Sequence, residues 1–292
     1  MHNPFNEIKS EGDTDEVLLT AIRDGDKHAL ERLILRHQAW IYNITMRMVY
    51  DPHEAEDLTQ EILVKVITKL DSFQGRSNIR TWIYRIAANH IFNAKKGPIE
   101  QMIKTFSQYG DELDSITNSD LSGLNANQAE LELMVEEARI SCIHGMLLCL
   151  ERNQRLIFIL GEIMKVDSQT GSEILDISAD NFRQRLSRAR KELYSFMNEK
   201  CGLVNKNNPC RCSRKTKGFI QLGIVNPKQL LFSEGHIQKI EDIAPTTLNE
   251  VDHIEEMAYV AEYQNSPFAQ PQSQADMLKT VLSSSLFDNS LH

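Results

Sequence analysis

Apolar positions recur at three- and four-residue intervals along most of the first two hundred residues, the spacing of one face of an α-helix. Glu16–Arg23 reads as a short amphipathic helix that Gly25 can stop in a left-handed conformation. Asp26 is placed to cap a second helix that runs to about Met48, with Leu30, Leu33, Ile34, Ile41 and Ile44 near helical spacing. Asp51-Pro52 with Glu54 combines an N-cap, a first-turn proline and an acid three residues past the cap. That third helix continues to about Leu70. Asn78 or Ser77 caps a fourth through Lys96, and Gly97 ends it.

Then the periodicity fades. From Pro98 to about Asn127 the chain has scattered Gly, Ser, Asn and Asp and reads as a linker. Helices resume at Ala129–Leu150 and Gln154–Met164, with a short one near Gln169–Leu175. Asp176-Ile177-Ser178 predicts a tight turn, and Ser178 caps a long helix to about Lys200. The segment Phe219–Phe232, FIQLGIVNPKQLLF, is expected to dock as an extended strand. Asn249–Tyr263 and Ser273–Phe287 read as two short amphipathic helices. The pattern predicts an all-α chain with two helical domains, at residues 14–97 and 129–200. A linker at 98–128 joins them, and an extension at 201–292 follows.

Composition sharpens this outline. Hydrophobic residues make up 41% and charged residues 25%, enough apolar material for a packed core. The net charge is −9, which excludes a chain coated in positive charge but not one with its bases gathered on one face. They are gathered. Residues 74–97 hold Arg76, Arg80, Arg85, Lys95 and Lys96 and no acid; residues 201–218 hold Lys206, Arg211, Arg214, Lys215 and Lys217, again with none. Residues 219–292 carry three lysines against ten acids. No apolar run approaches the ~18 residues of a membrane span, the N-terminus is polar, and five cysteines are too few for a disulfide scaffold. A cytoplasmic protein without a membrane segment is expected.

Enzyme motifs are absent: there is no phosphate-cradling glycine loop, HExxH, nucleophile elbow or dinucleotide fingerprint. Asp57 and Glu61 sit one helical turn apart, a spacing that suits acid–base work or, more blandly, a solvated face. In Phe73–Lys96, Phe73, Trp82, Tyr84 and Phe92 are interleaved with five cations, the mixture single-stranded nucleic acid needs: cations for phosphates and rings for bases. The same rings, Trp82 above all, also suit the core of an amphipathic helix. In Ser178–Lys200, Phe182, Leu186, Ala189 and Leu193 share one face and leave Arg183, Gln184, Arg185 and Arg188 outside. Such residues at a helix N-terminus suit base edges and phosphates of a major groove, or an ordinary Arg-rich surface.

The words AEDLTQE, LDSFQG and RTWIYRIAANH within residues 54–96 resemble region 2 of bacterial sigma-70 family factors of the extracytoplasmic-function group. LERNQRLIFILGEIMKVD (150–167) and DISADNFRQRLSRARKEL (176–193) resemble region 4 of the same family, so the likeness spans about residues 14–200. It implies a non-enzymatic factor that binds core RNA polymerase at the β′ clamp and β flap and directs promoter recognition, melting and initiation. It assigns Glu56, Asp57, Gln60 and Glu61 to the clamp contact. It places Arg76, Ser77, Asn78, Arg80, Trp82, Tyr84, Arg85 and Asn89 at the proximal promoter element and the melted strand, where a flipped base costs a few kcal/mol of unstacking. Asn181, Arg183, Gln184, Arg185 and Arg188 fall at the distal promoter element. The linker would thread the RNA-exit path, and an anti-sigma factor is a further candidate partner.

Two departures stand out. Thr170-Gly171-Ser172 replaces the family's usual Glu-Ile-Ala, with Gly171 costing about 1 kcal/mol of helix propensity relative to alanine. Phe182 stands where a valine is usual and can fill the space Gly171 leaves. The extension is the larger departure. No cofactor is required by the resemblance, but Cys201, Cys210 and Cys212 in a basic stretch are candidate zinc ligands, with His236 or Cys149 as a fourth. Free structural thiols are the plainer alternative. Two rival functions stay open: a stand-alone helix-turn-helix regulator, and a thiol or metal sensor on a sigma-like scaffold.

Overall fold

A computed structural model describes residues 14–102, 105–232, 259–260, 262–263 and 268. These residues are helical, with no strand among them, and fall into two compact units. One holds the described residues up to Gly97 together with Ile159–Gln184. The other holds Pro98–Phe158 with the described residues of Arg185–Phe268. The first cut, after Gly97, falls where the sequence pattern places the start of the linker, while Ile159–Gln184 group with the first unit rather than with the rest of 129–200.

Local chemistry starts each helix of the first unit. Thr14 accepts from the Val17 N–H to open α1 (Asp15–Arg23), and Asp26 accepts from His28 and Ala29 to open α2 (Lys27–Val49). Tyr50 closes α2 in the left-handed region at φ 58, and Asp51 at once caps α3 (Pro52–Lys69) by accepting from Glu54. A 3-10 turn, Leu70–Ser72, leads to Asn78, which caps α4 (Ile79–Asn93). That helix ends at Asn93 rather than Lys96. Its core packs Leu33, Trp40, Ile41, Ile62, Val66 and Ile83. Burial of such side chains supplies roughly 1.5–3 kcal/mol each. A buried polar seam also ties α2 to α3, where Thr45 and Thr59 hydroxyls meet at 3.0 Å and both reach the Ala55 carbonyl. A short α9 (Ser168–Leu175), capped by Asp167, packs on α4 in this unit.

The second unit adds helices to the expected linker and overturns the expected strand. The weakly periodic stretch after residue 97 contains α5 (Pro98–Met102) and α6 (Phe106–Ser115). Tertiary contacts hold α6: Tyr109 lies over Gly145, where a Cβ would overlap its ring, and donates to the Cys142 carbonyl at 3.1 Å. Both of those residues lie on α7 (Gln128–Cys149), which begins with an Asn127–Glu130 capping box. Glu100 meets Arg155 at 3.0 Å and Arg152 at 3.1 Å, so α5 is clasped to α8 (Arg152–Phe158). A π turn follows at Ile159–Ile163.

Residues 219–232 do not form the expected strand. They complete α11 (Cys212–Gln221) and then turn, because Phe219 is buried and the Leu222 and Ile224 N–H groups bond back to α11 carbonyls. The extension continues by pinning its backbone: Leu231 and Phe232 donate to the buried Glu137 carboxylate at 2.7 and 2.9 Å, and Phe232 stacks on His144. Of the expected helix at 249–263, Tyr259, Val260, Glu262 and Tyr263 are described and helical. The one at 273–287 lies outside the described residues.

Candidate nucleic-acid interface

On α3 an open groove of about 520 Å³ is lined by Asp57, Gln60, Glu61, Val64 and Lys65. Three of these are among the four residues assigned to the clamp contact; the fourth, Glu56, is partly buried on the same helix. The i, i+3, i+4 spacing of α3 places them on one stripe. Sequence reasoning missed the residue that organises this stripe. His90, from α4, accepts at Nδ1 from Lys65 Nζ (2.5 Å) and reaches Glu61 Oε2 through Nε2 (2.7 Å). A lysine ammonium has no lone pair to offer, so the Nδ1 must accept and the Nε2–H donates to Glu61. Only a mid-helix histidine in a basic segment hinted at this.

The residues expected at the proximal promoter element divide by environment. Arg76 and Asn89 are exposed, while Ser77 and Trp82 are partly buried, with Trp82 packed against Phe73 at 5.5 Å. Asn78 accepts from the Arg80 N–H as the cap of α4 and donates to Glu16 Oε1 at 3.1 Å. Tyr84 is 1% exposed and sits edge-on to His37, so its ring belongs to the core and offers no face to a base. Burial pushes its phenol well above the ordinary tyrosine range, and the Asp15 charge adds to that.

Arg80 and Arg85 are both engaged. Asp15 gathers three basic side chains: Arg36 at 2.5 Å, His37 at 3.4 Å and Arg80 at 3.5 Å. Burial works to raise the Asp15 pKa, but His37 and Arg36 outweigh it and bring the carboxyl to about 2. Arg85 turns its fork to a single acceptor, the Glu173 carbonyl of α9, at 2.9 and 2.6 Å. This contact fixes where α9 sits and holds a residue assigned to the melted strand.

Helix α10 (Ala179–Lys200), which carries the residues expected at the distal element, follows a turn closed by Asp176 at φ 54. Ser178 Oγ accepts from the Asn181 N–H at 3.2 Å, as the sequence predicts for its cap. Arg183, Gln184 and Arg188 are exposed, and Asn181 and Arg185 partly so. Arg183 pairs with Asp180 and donates to Ser168 at 3.1 Å. Phe182 is buried against Gly171: a Cβ on that glycine would overlap the ring, so the phenyl occupies the space of the missing side chain.

Comparison with known proteins agrees with this geometry. Residues 33–97 match sigma-70 region 2, a span that takes in both the groove helix and the base-rich helix. The chain is 28% identical over 184 residues to the ECF RNA polymerase sigma-E factor of Escherichia coli K12, covering 63% of this chain and 94% of that one. It is 40% identical over 75 residues to the RNA polymerase sigma-H factor of Pseudomonas aeruginosa, covering 26% of this chain and 39% of the relative. A solved structure of CnrH in complex with the cytosolic domain of CnrY aligns at a TM-score of 0.45 and 19% identity, over 63% of this chain and 97% of that chain. Residues 33–97 thus match a sigma-70 region 2 segment, and over 184 residues the chain is similar to an extracytoplasmic-function sigma factor.

Proposed function

We propose that the chain binds core RNA polymerase through the α3 groove and then directs promoter recognition, melting and initiation. One observation carries the reading: Asp57, Gln60 and Glu61 line an open groove next to the base-rich α4, within the segment matched to sigma-70 region 2. The groove supplies a ready carboxylate surface for a basic partner such as the β′ clamp, and α4 supplies cations for DNA. The named functions of the relatives support the same reading. Region 4, with α10 leading, would contact the β flap and the distal element. An anti-sigma factor fits as a further partner. The protein works by binding rather than catalysis, and it acts in the cytoplasm beside its polymerase. No described helix is long and apolar enough to cross a membrane.

The test is transcription in vitro with core polymerase, comparing the full-length chain with an Asp57→Lys, Glu61→Lys double variant. Core binding is expected to weaken at least tenfold while helical content stays unchanged. Unaltered core binding by the variant removes the groove assignment. A chain that binds duplex DNA but supports no initiation with core polymerase makes it a stand-alone regulator.

A further inference from the structure

Cys201, Cys210 and Cys212 are not gathered into a metal site: among the described residues, no group of three or more Cys, His, Asp or Glu lies close enough to hold an ion. Side chains do converge on the α3 groove. Glu61 and Lys65 stand four residues apart on α3, the order and spacing at which a glutamate and a lysine pair directly across one helical turn. They do not pair with each other; each turns to His90 of α4, at 2.7 Å from Glu61 Oε2 and 2.5 Å from Lys65 Nζ. Among the described residues, His90 is the one side-chain partner of both. The ring is sheltered and the carboxylate is not: the His90 side chain is 11% exposed and that of Glu61 62%. A packed ring therefore fixes a carboxylate that faces solvent. Exposed ion pairs add little stability, so what the bridge supplies is position.

The bridge needs one protonation state. A neutral imidazole with its proton on Nε2 donates to Glu61 and keeps the Nδ1 lone pair for Lys65, whereas an imidazolium has two donors and no lone pair. Protonation therefore breaks the Lys65 contact and sets two cations face to face, while the bond to Glu61 becomes charge-assisted. Lys65, displaced, is in register for direct pairing with Glu61. The charged side chains that line the groove are Asp57, Glu61 and Lys65. Together they carry one net negative charge beside a neutral His90, and His90 cancels it once protonated.

The other charged groups around α4 are engaged elsewhere. On its own helix, the residues one turn from His90 are Ile86, Ala87, Asn93 and Ala94, all uncharged. Arg85 takes the Glu173 carbonyl of α9, and the Glu173 carboxylate accepts from Gln169. Glu16 and Asp15 of α1, with Arg36 and His37 of α2, gather around Asn78 and Arg80. That cluster lies about 15 Å from His90 at the α-helical rise. Lys95 and Lys96 follow the end of α4, and Glu54 of α3 reaches Gly97, where a Cβ would overlap its carboxylate.

We propose that His90 is a positioning residue for the α3 groove and makes its grip on a basic partner depend on pH. Neutral, it holds Lys65 away from Glu61 and leaves the groove carboxylates to the partner. Protonated, it releases Lys65 to Glu61, and the groove loses its net charge. This role for His90 rests on the reading of the groove as the surface for core polymerase. A partner that prefers the neutral ring binds more weakly as the pH falls through the imidazole range, about pH 8 to 5. By reciprocity, the bound partner opposes protonation.

Affinity of the full-length chain for core polymerase, measured from about pH 8 to about pH 6 at fixed ionic strength, provides the test. It should fall about fivefold or more. Titrating groups of the polymerase act on every variant alike, so the comparison among variants isolates His90. His90→Gln supplies a carbonyl for Lys65 and an N–H for Glu61 but takes up no proton. It should rescue the pH 8 affinity that His90→Leu loses, and it should remove the extra pH dependence. Identical pH profiles for the unaltered chain and His90→Gln overturn the proposal. Circular dichroism reports folding of both variants. Should either fail to fold, nitrogen NMR shifts of the His90 ring in the unaltered chain decide: a proton on Nε2 at pH 8 supports the bridge, and one on Nδ1 overturns it. Failure of the underlying reading looks different. The Asp57→Lys, Glu61→Lys double variant then binds core polymerase unaltered at every pH, whereas a bridge that fails alone leaves that variant defective.

Discussion

Gly171 and Phe182 show how one small residue and one large one can share a single site. A methyl at position 171 gains about 1 kcal/mol of helix propensity, yet it would overlap the buried phenyl ring. Overpacking a filled core costs about 1–3 kcal/mol. Gly171→Ala is therefore expected to lower stability by up to about 2 kcal/mol. Combining it with Phe182→Val should recover much of that loss. A double-mutant cycle by urea unfolding measures the coupling, and simple additivity would show that the ring yields freely. Asp15 makes the companion case for charge. Its folded pKa, about 2, lies below the ordinary 3.8. A depressed carboxyl contributes stability that is complete above the unfolded value and is lost as the pH falls through the folded one. Asp15→Asn is expected to cost about 2 kcal/mol at neutral pH. That difference should vanish as the pH drops from about 4 to about 2, followed by urea unfolding across the range.

Among the helices, legibility followed the range of the interaction. Asp26, Asp51, Asn78 and Ser178 were readable as caps because an N-cap is a hydrogen bond between residues two or three apart. Helices α5 and α6 were not readable, since long-range contacts hold them: Glu100 with Arg155, Tyr109 over Gly145, and Asp114 with Lys200 at 2.7 Å. The site divides in the same way. Asp57, Gln60 and Glu61 were legible from helical spacing, but His90 and Asp15 act across helices, and composition alone could not place Tyr84 in the core. Arg185 and Arg188 test whether α10 reads DNA. Alanine at either should cost about 1–3 kcal/mol of promoter affinity. Each should also reduce the salt dependence of binding by about one phosphate contact. Fluorescence anisotropy over a salt series measures both. Insensitivity to both substitutions would show that α10 does not read this DNA.

Over the whole molecule, the extension serves packing as well as charge. Tyr263 is 1% exposed and meets Phe158 edge-on at 5.3 Å, while Tyr259 stacks on Tyr194 at 4.5 Å. Glu262 pairs with Arg139 at 2.7 Å. A truncation at 218 would cut through α11 and strip Glu137 of its partners, so the informative cut falls after Phe232. Residues 233–292 hold two lysines against ten acids, whereas 74–97 and 201–218 hold no acid at all. Tethering opposite charges in one chain gives them an effective concentration that reaches millimolar for short linkers. The 1–232 fragment is therefore expected to bind DNA more tightly than the full chain at low salt. The gap should close at high salt, where the attraction is screened. Tyr263→Ala separates this effect from folding. It should cost about 3 kcal/mol of stability, yet it leaves every charge in place and so should not change DNA affinity at a temperature where it is folded. Equal low-salt affinity of fragment and full chain would leave the acidic segment with its packing role alone.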